Sequence, residues 1–163
     1  MQSIDKWYKK YLNLPFRHLG DNIETGIDCW NLCMYIYKDY RNINIKQRSW
    51  DFCNIIDDNW YNKTTHRLYE DGFEKFSHIF KKTNDKPKLY DIILMSIGST
   101  NISNHCAMYV ENNRILQTMI GHTSWVAPYG NYYKQYTTGT VAAGAATAFT
   151  LTRATSGTLV FTV

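Results

Sequence analysis

The sequence GIDCWNL, residues 26–32, places a cysteine at the predicted start of a helix. Asp28 is a favourable N-cap residue, and apolar residues follow it at helical spacing as far as about Asp39. Amide N–H groups at a helix N-terminus stabilise a thiolate. Cys29 is therefore a candidate nucleophile, and its own backbone N–H can help to bind an oxyanion.

The sequence HCAMYV, residues 105–110, predicts a strand that begins with a candidate base, His105. A turn at 111–113 leads to a returning strand over 114–120. A three-residue turn keeps odd positions of the two strands on one face, so Gln117 is expected one diagonal step from His105. The side-chain oxygen of Gln117 is then expected to accept the Nδ1 proton of the imidazole and to orient the ring.

The rest of the chain predicts helices followed by an antiparallel sheet, which is an α+β layout. Helical patterns cover residues 4–14, 41–61 and 64–81, and further strands are predicted at 90–97 and 125–126.

The composition changes near Thr137. Beyond it Ala, Thr and Gly dominate, and residues 149–152 and 158–162 alternate as a β-hairpin would. We therefore expect a domain at 1–138 and a C-terminal extension at 139–163.

Composition and charge exclude several classes of function. The chain has 163 residues and a net charge of +4, and no Lys/Arg block exceeds two residues, so we expect no nucleic-acid partner. No segment has the length and apolarity of a membrane span. The N-terminus lacks the apolar region of a signal peptide, which predicts synthesis in a reducing cytoplasm with free thiols.

The other three cysteines are expected to be small buried residues: Cys33, Cys53 and Cys106. A zinc site built from Cys29, Cys33, His105 and Cys106 is disfavoured, because neighbours on a strand point to opposite faces.

Five segments, in this order, resemble those of the NlpC-type peptidoglycan peptidases. Residues 14–20 resemble the segment that enters the site, and residues 26–32 resemble the nucleophile motif Gly-x-Asp-Cys-x-Gly-Leu. Residues 90–94 resemble a Gly-Asp-Leu-Val strand, and residues 105–110 the strand His-Val-Gly-Ile-Tyr-Leu. Residues 113–117 resemble the next strand, which carries the third polar residue of the family, often His.

The resemblance, over about residues 10–138, implies a compact papain-like fold and a cysteine peptidase that cuts amide bonds of peptidoglycan stem peptides. Cys29 would be the nucleophile, His105 the general base and acid, and Gln117 the residue that orients His105. It implies neither a metal nor another cofactor. A substrate and oxyanion region is expected at Asp28, Trp30, Phe16 and His18. Phe16 stands where some members carry a tyrosine hydroxyl that assists the site.

Trp30, directly after the nucleophile, is a form that the resemblance associates with phage tail members. The implied location is the virion tail, after synthesis in the host cytoplasm, and residues 139–163 are candidates for binding other tail proteins. Two alternatives stay open. One is a structural tail-tip subunit with little or no turnover, and the other, less favoured, is an acyltransferase that uses the same Cys–His pair.

Overall fold

The computed structural model describes residues 6–48, 67–98 and 102–143, and it combines helices with an antiparallel sheet. Its helices are a 3-10 helix at Trp7–Tyr11, α1 at Cys29–Arg41, α2 at Leu68–Lys75 and α3 at Asn131–Tyr136. The strands are β1 at Asp21–Asn22, β2 at Gly26–Ile27, β3 at Phe80–Thr83, β4 at Ile92–Met95, β5 at His105–Val110, β6 at Arg114–Gln117, β7 at Trp125–Pro128 and β8 at Thr137–Ala143. The predicted α+β class is confirmed.

The main sheet has six antiparallel strands in the order β3-β8-β4-β5-β6-β7. Helix α1 packs on one face through the larger apolar cluster, which contains Cys106, Met108 and Leu116 from the sheet. The opposite face carries a smaller cluster, against which α3 packs Tyr133 and Tyr136. The sheet is therefore covered on both faces, and β5 contributes to both clusters.

Helix α1 begins where the sequence predicts. Asp28 has an extended backbone, and its carboxylate accepts a hydrogen bond from the Asn31 backbone N–H at 2.8 Å. The helix ends at Asn42, a left-handed residue whose N–H donates to the carbonyl of Tyr37. Local capping thus fixes the residue at which α1 starts.

Other predictions need correction. The helix expected at 4–14 is a short 3-10 helix, and of the helix expected at 64–81 only α2 forms within the described part. Residues 80–83 form β3 instead, because their backbone pairs with β8. Helix α3 was not predicted.

Two predictions concern segments that the structure covers only in part. Of the helix expected at 41–61, residues 42–48 have no regular structure and residues 49–61 lie outside the described residues. Residues 139–143 of the expected extension belong to β8, inside the main sheet, and the predicted C-terminal hairpin lies outside the described residues. Among the helices that the structure describes, none has the length and apolarity needed to cross a bilayer.

Candidate active site

The loop before α1 holds Cys29 in place through close backbone contacts. A Cβ atom on Gly20 would lie 2.4 Å from the Gly26 carbonyl oxygen, and Gly26 itself has a φ of +135°. The Gly20 carbonyl accepts hydrogen bonds from the Asp28 backbone N–H at 3.0 Å and from the Asn31 amide at 3.0 Å. Asn31, which replaces a glycine of the motif that the segment resembles, therefore ties α1 to this loop.

Cys29 is the first residue of α1, and its side chain is in contact with three polar groups. The hydroxyl of Tyr69 lies 3.0 Å from Cys29 Sγ. Hydrogen bonding by Cys106 is the largest cause that lowers the pKa of Cys29 well below its ordinary value. The hydrogen bond and charge of His105 and the Tyr69 hydroxyl act in the same direction, while burial opposes them. The site therefore favours a thiolate at Cys29.

Cys106 and Tyr69 keep their protons and can donate them to that thiolate. Burial raises the pKa of the Cys106 thiol well above its ordinary value, and contact with Cys29 and Cys33 adds to the rise. Burial, followed by the charge of Cys29, likewise raises the pKa of Tyr69. The donors beside Cys29 therefore stay neutral at a pH where Cys29 is ionised.

His105 and Gln117 lie together, as the strand register predicts. Continuing the β5–β6 register places Ala107 opposite Gln117, so His105 lies diagonally across from Gln117. The turn between the two strands contains Asn112 and Asn113 at positive φ. His105 Nε2 lies 2.9 Å from Gln117 Oε1. The expectation that Gln117 contacts Nδ1 is wrong. Nε2 is the ring nitrogen further from the His105 backbone, so it is the one that reaches Gln117 across the diagonal. Gln117 therefore leaves Nδ1 available to Cys29, which forms a hydrogen bond with His105.

The four residues of the expected substrate and oxyanion region have different surroundings. Asp28 is buried as the N-cap of α1, and Trp30 is only 1 % exposed, so its ring packs in the core rather than lining an open groove. The Trp30 ring packs against the rings of Tyr69 and Phe73, with distances between ring centroids of 6.2 Å and 5.0 Å. Trp30 thus holds α2, and with it Tyr69, against α1.

Phe16 and His18 lie in the segment that leads to the loop. Phe16 forms a bridge with Ile27 and is partly buried. His18 Nε2 is buried and has no hydrogen-bond partner within the described ranges. Phe16 supplies no hydroxyl, whereas Tyr69 brings one to Cys29 from a different part of the chain.

Sequence reasoning missed two neighbours of Cys29, namely Tyr69 and Cys106. The available signal for Tyr69 was its position four residues before Phe73, on the inward face of a predicted helix. Cys106 was assigned to the core, and the structure adds that its thiol meets Cys29 and Cys33.

A second network connects α2 with the segment before His105. The Ser103 hydroxyl donates to Glu70 and lies 2.6 Å from Thr138 Oγ1, so α2, this segment and β8 are joined. In residues 6–48, 67–98 and 102–143, no group of three or more His, Cys, Asp or Glu side chains is arranged to hold a metal ion.

Comparison with known proteins identifies the family. Residues 13–142 match the family model described as NlpC/P60 family. A relative in Escherichia phage N15, described as tail tip assembly protein K, is 28 % identical over 113 residues, which cover 68 % of this chain and 42 % of that protein. The chain thus matches less than half the length of this relative.

A solved structure shows the same fold, and the chain is also similar to a second one. An NLP/P60-family protein similar to a lipoprotein, from Staphylococcus aureus, has a TM-score of 0.51 and 17 % identity, with 82 % of this chain and 38 % of that chain covered. The NlpC/p60 domain of the peptidoglycan hydrolase SagA has a TM-score of 0.49 and 16 % identity, with 82 % and 90 % covered. Because the family model matches most of the chain, from the nucleophile loop to β8, this protein belongs to the NlpC/P60 family.

Proposed function

We propose that this chain is a cysteine peptidase that hydrolyses amide bonds in peptidoglycan stem peptides, and that it acts as a component of a phage tail tip. The observation that carries the proposal is the thiol of Cys29, which has a lowered pKa and lies beside His105 at the start of α1. Family membership supports the reaction class, and similarity to a protein described as a tail tip assembly protein supports the setting.

In the proposed reaction, the Cys29 thiolate attacks the carbonyl carbon of the scissile amide. The backbone N–H of Cys29 lies in the first turn of α1, where N–H groups have no intrahelical acceptor, so it can bind the oxyanion. The imidazolium of His105 then gives its Nδ1 proton to the leaving amine, and a thioester forms on Cys29. His105 next takes a proton from water, and the hydroxide releases the acid and the thiolate.

Gln117 and Tyr69 have supporting roles in this proposal. Gln117 Oε1 accepts the Nε2 hydrogen of His105, which keeps Nδ1 directed at Cys29. The Tyr69 hydroxyl donates to the Cys29 thiolate until the substrate arrives, a function for which Phe16 has no suitable group. Neither residue gains or loses a proton in the reaction.

The test is incubation of the full chain with purified sacculi beside two variants. Cys29→Ala removes the nucleophile, and Cys33→Ala is the matched control, because Cys33 is a buried thiol one turn further along the same helix. We expect stem-peptide fragments from the wild-type chain and from Cys33→Ala, but none from Cys29→Ala.

Other outcomes would contradict the peptidase. If the folded wild-type chain releases no stem-peptide fragments at any pH, the alternative of a structural tail-tip subunit is favoured. The lack of a hydroxyl at Phe16 and the glutamine at position 117 are consistent with that alternative. A lipid-derived thioester trapped on Cys29, without fragment release, would identify an acyltransferase. Detection of the chain by mass spectrometry in purified tails tests the tail-tip location separately.

A further inference from the structure

A chain of hydrogen bonds runs from His105 through Gln117 to Tyr133. His105 Nε2 lies 2.9 Å from Gln117 Oε1, and Gln117 Nε2 donates to the Tyr133 hydroxyl oxygen at 2.8 Å. Gln117 is completely buried, so its amide depends on these two partners for its hydrogen bonds. The mechanism proposed above gives Tyr133 no role.

The orientation of the Gln117 amide decides which nitrogen of His105 carries hydrogen. An amide has an acceptor oxygen at one end and a donor NH2 at the other, and half a turn exchanges them. With the oxygen towards Nε2, that nitrogen carries hydrogen and Nδ1 can accept a proton from Cys29. With the NH2 towards Nε2, the favoured tautomer has hydrogen on Nδ1, and the imidazolium is opposed.

We propose that Tyr133 is a positioning residue: its hydroxyl oxygen holds the NH2 group of Gln117, so that the amide oxygen faces His105. The inference rests on the proposed roles of Cys29 and His105. Tyr133 acts through Gln117 and touches neither the nucleophile nor the reacting atoms.

The sheet holds Tyr133 in position through α3. The Thr137 hydroxyl donates to the Tyr133 carbonyl at 3.0 Å, and Thr137 Oγ1 lies 2.9 Å from the hydroxyl of Tyr129, which follows β7. The Ser96 backbone N–H, just after β4, donates to the Tyr136 carbonyl at 2.8 Å. The C-terminal end of α3 is therefore bonded to residues that flank two strands, which fixes where the Tyr133 ring lies.

The first test compares Tyr133→Phe with Tyr132→Phe. Tyr132 is the matched control, since its ring centroid lies 5.0 Å from that of Tyr133 but the residue is 58 % exposed, whereas Tyr133 is the one bonded to Gln117. The readouts are kcat/KM on a stem peptide and the rate at which iodoacetamide alkylates Cys29. We expect both to fall about tenfold in Tyr133→Phe, as for the loss of one partly buried hydrogen bond, and to change less than about twofold in Tyr132→Phe.

The second test repeats the pair in a Gln117→Glu background. The two oxygens of a carboxylate are equivalent, so a half turn changes nothing and the Tyr133 hydroxyl is no longer needed for orientation. We expect the fall in kcat/KM caused by Tyr133→Phe to decrease from about tenfold to about twofold in this background. The inference is overturned if Tyr133→Phe lowers kcat/KM by the same factor in both backgrounds. It is also overturned if Tyr133→Phe has no effect on kcat/KM when residue 117 is glutamine.

Ring-nitrogen NMR of His105 keeps the inference testable if Gln117→Glu does not fold. Tyr133→Phe should raise the population with hydrogen on Nδ1, and an unchanged spectrum overturns the inference. Because alkylation and NMR need no peptidoglycan, a wild-type chain that fails to cut sacculi would contradict the proposed function while leaving the role of Tyr133 to these two measurements.

Discussion

The two sides of the candidate site are built in different ways. On the side of α1, Cys29 is surrounded by Cys106 and Tyr69, and burial is opposed by hydrogen bonds that favour the thiolate. On the side of α3, His105 is held by Gln117, whose oxygen determines the ring tautomer. The thiol side acts on the ionisation of Cys29, whereas the imidazole side both contributes to that ionisation and sets which ring nitrogen of His105 carries the proton.

Because of this difference, the two halves should respond differently to substitution. Changes on the thiol side should move the pH at which Cys29 ionises, without removing the proton carrier. Changes on the imidazole side should also impair proton transfer, so turnover should fall at every pH. Substitutions on each side distinguish these two effects.

Replacing His105 by alanine should have the largest effect, because both the proton carrier and the charge beside the thiolate are lost. We expect kcat/KM on a stem peptide to fall by about 10³-fold or more, with the fold retained by circular dichroism. The control is His122→Ala, an exposed histidine in the loop between β6 and β7. An activity loss of similar size in both variants would show that the effect is not specific to the site.

Cys106→Ala should raise the pKa of Cys29, because Cys106 makes the largest contribution to its lowering. The midpoint of iodoacetamide alkylation should therefore move to higher pH. Cys106→Ser, which keeps a hydrogen-bond donor, should restore the lower midpoint. If alanine and serine give the same midpoint, the hydrogen bond from position 106 does not control the ionisation of Cys29.

Tyr69→Phe should shift the same midpoint in the same direction but less, because the Tyr69 hydroxyl contributes less to the lowering. The ring remains packed on Trp30, so stability should change little. Tyr35→Phe is the control, since it removes a partly buried hydroxyl on α1 that bonds to the Asp21 carbonyl. A midpoint that moves down in Tyr69→Phe would contradict the proposed donation to the thiolate.

The smallest effect concerns stability. The pKa of Cys29 is lowered in the folded state. At a pH between the lowered pKa and the ordinary value of about 8.5, the folded chain therefore binds fewer protons at Cys29 than the unfolded chain. The free energy of unfolding should therefore rise with pH in this window, by at most about 1.4 kcal/mol per pH unit. The contribution is lost as the pH falls through the lowered pKa.

Urea unfolding of the wild-type chain and Cys29→Ala across this window provides the measurement. The difference between the two free energies should increase with pH, since only the wild-type chain has the linked proton. A difference that is flat or decreases would contradict this linkage, because it would show that ionisation of Cys29 releases no net proton from the folded chain.

Local signals in the sequence predicted the thiol and its helix. Asp28 caps α1 directly before Cys29, and capping depends on residues a few positions apart. The diagonal between His105 and Gln117 was also predictable, because a three-residue turn fixes the register of the hairpin.

The remaining parts of the site depend on contacts between distant segments, which local patterns do not specify. Tyr69 reaches Cys29 across 40 positions, and Tyr133 reaches Gln117 across 16. Residues 80–81 continue a helical pattern in the sequence, but Phe80–Thr83 forms strand β3. Its backbone partners are in β8, about 60 residues later in the chain, so the local pattern could not indicate this pairing.

The position of β8 has a consequence for synthesis on the ribosome. This strand lies between β3 and β4, so the sheet stays split into two parts until residues 137–143 have left the exit tunnel. Until then, β3 and the outer side of β4 lack their pairing partner and offer open backbone edges to other nascent chains. A gene fragment that stops at codon 138 should therefore yield aggregates, whereas one that continues beyond codon 143 allows the two parts to join.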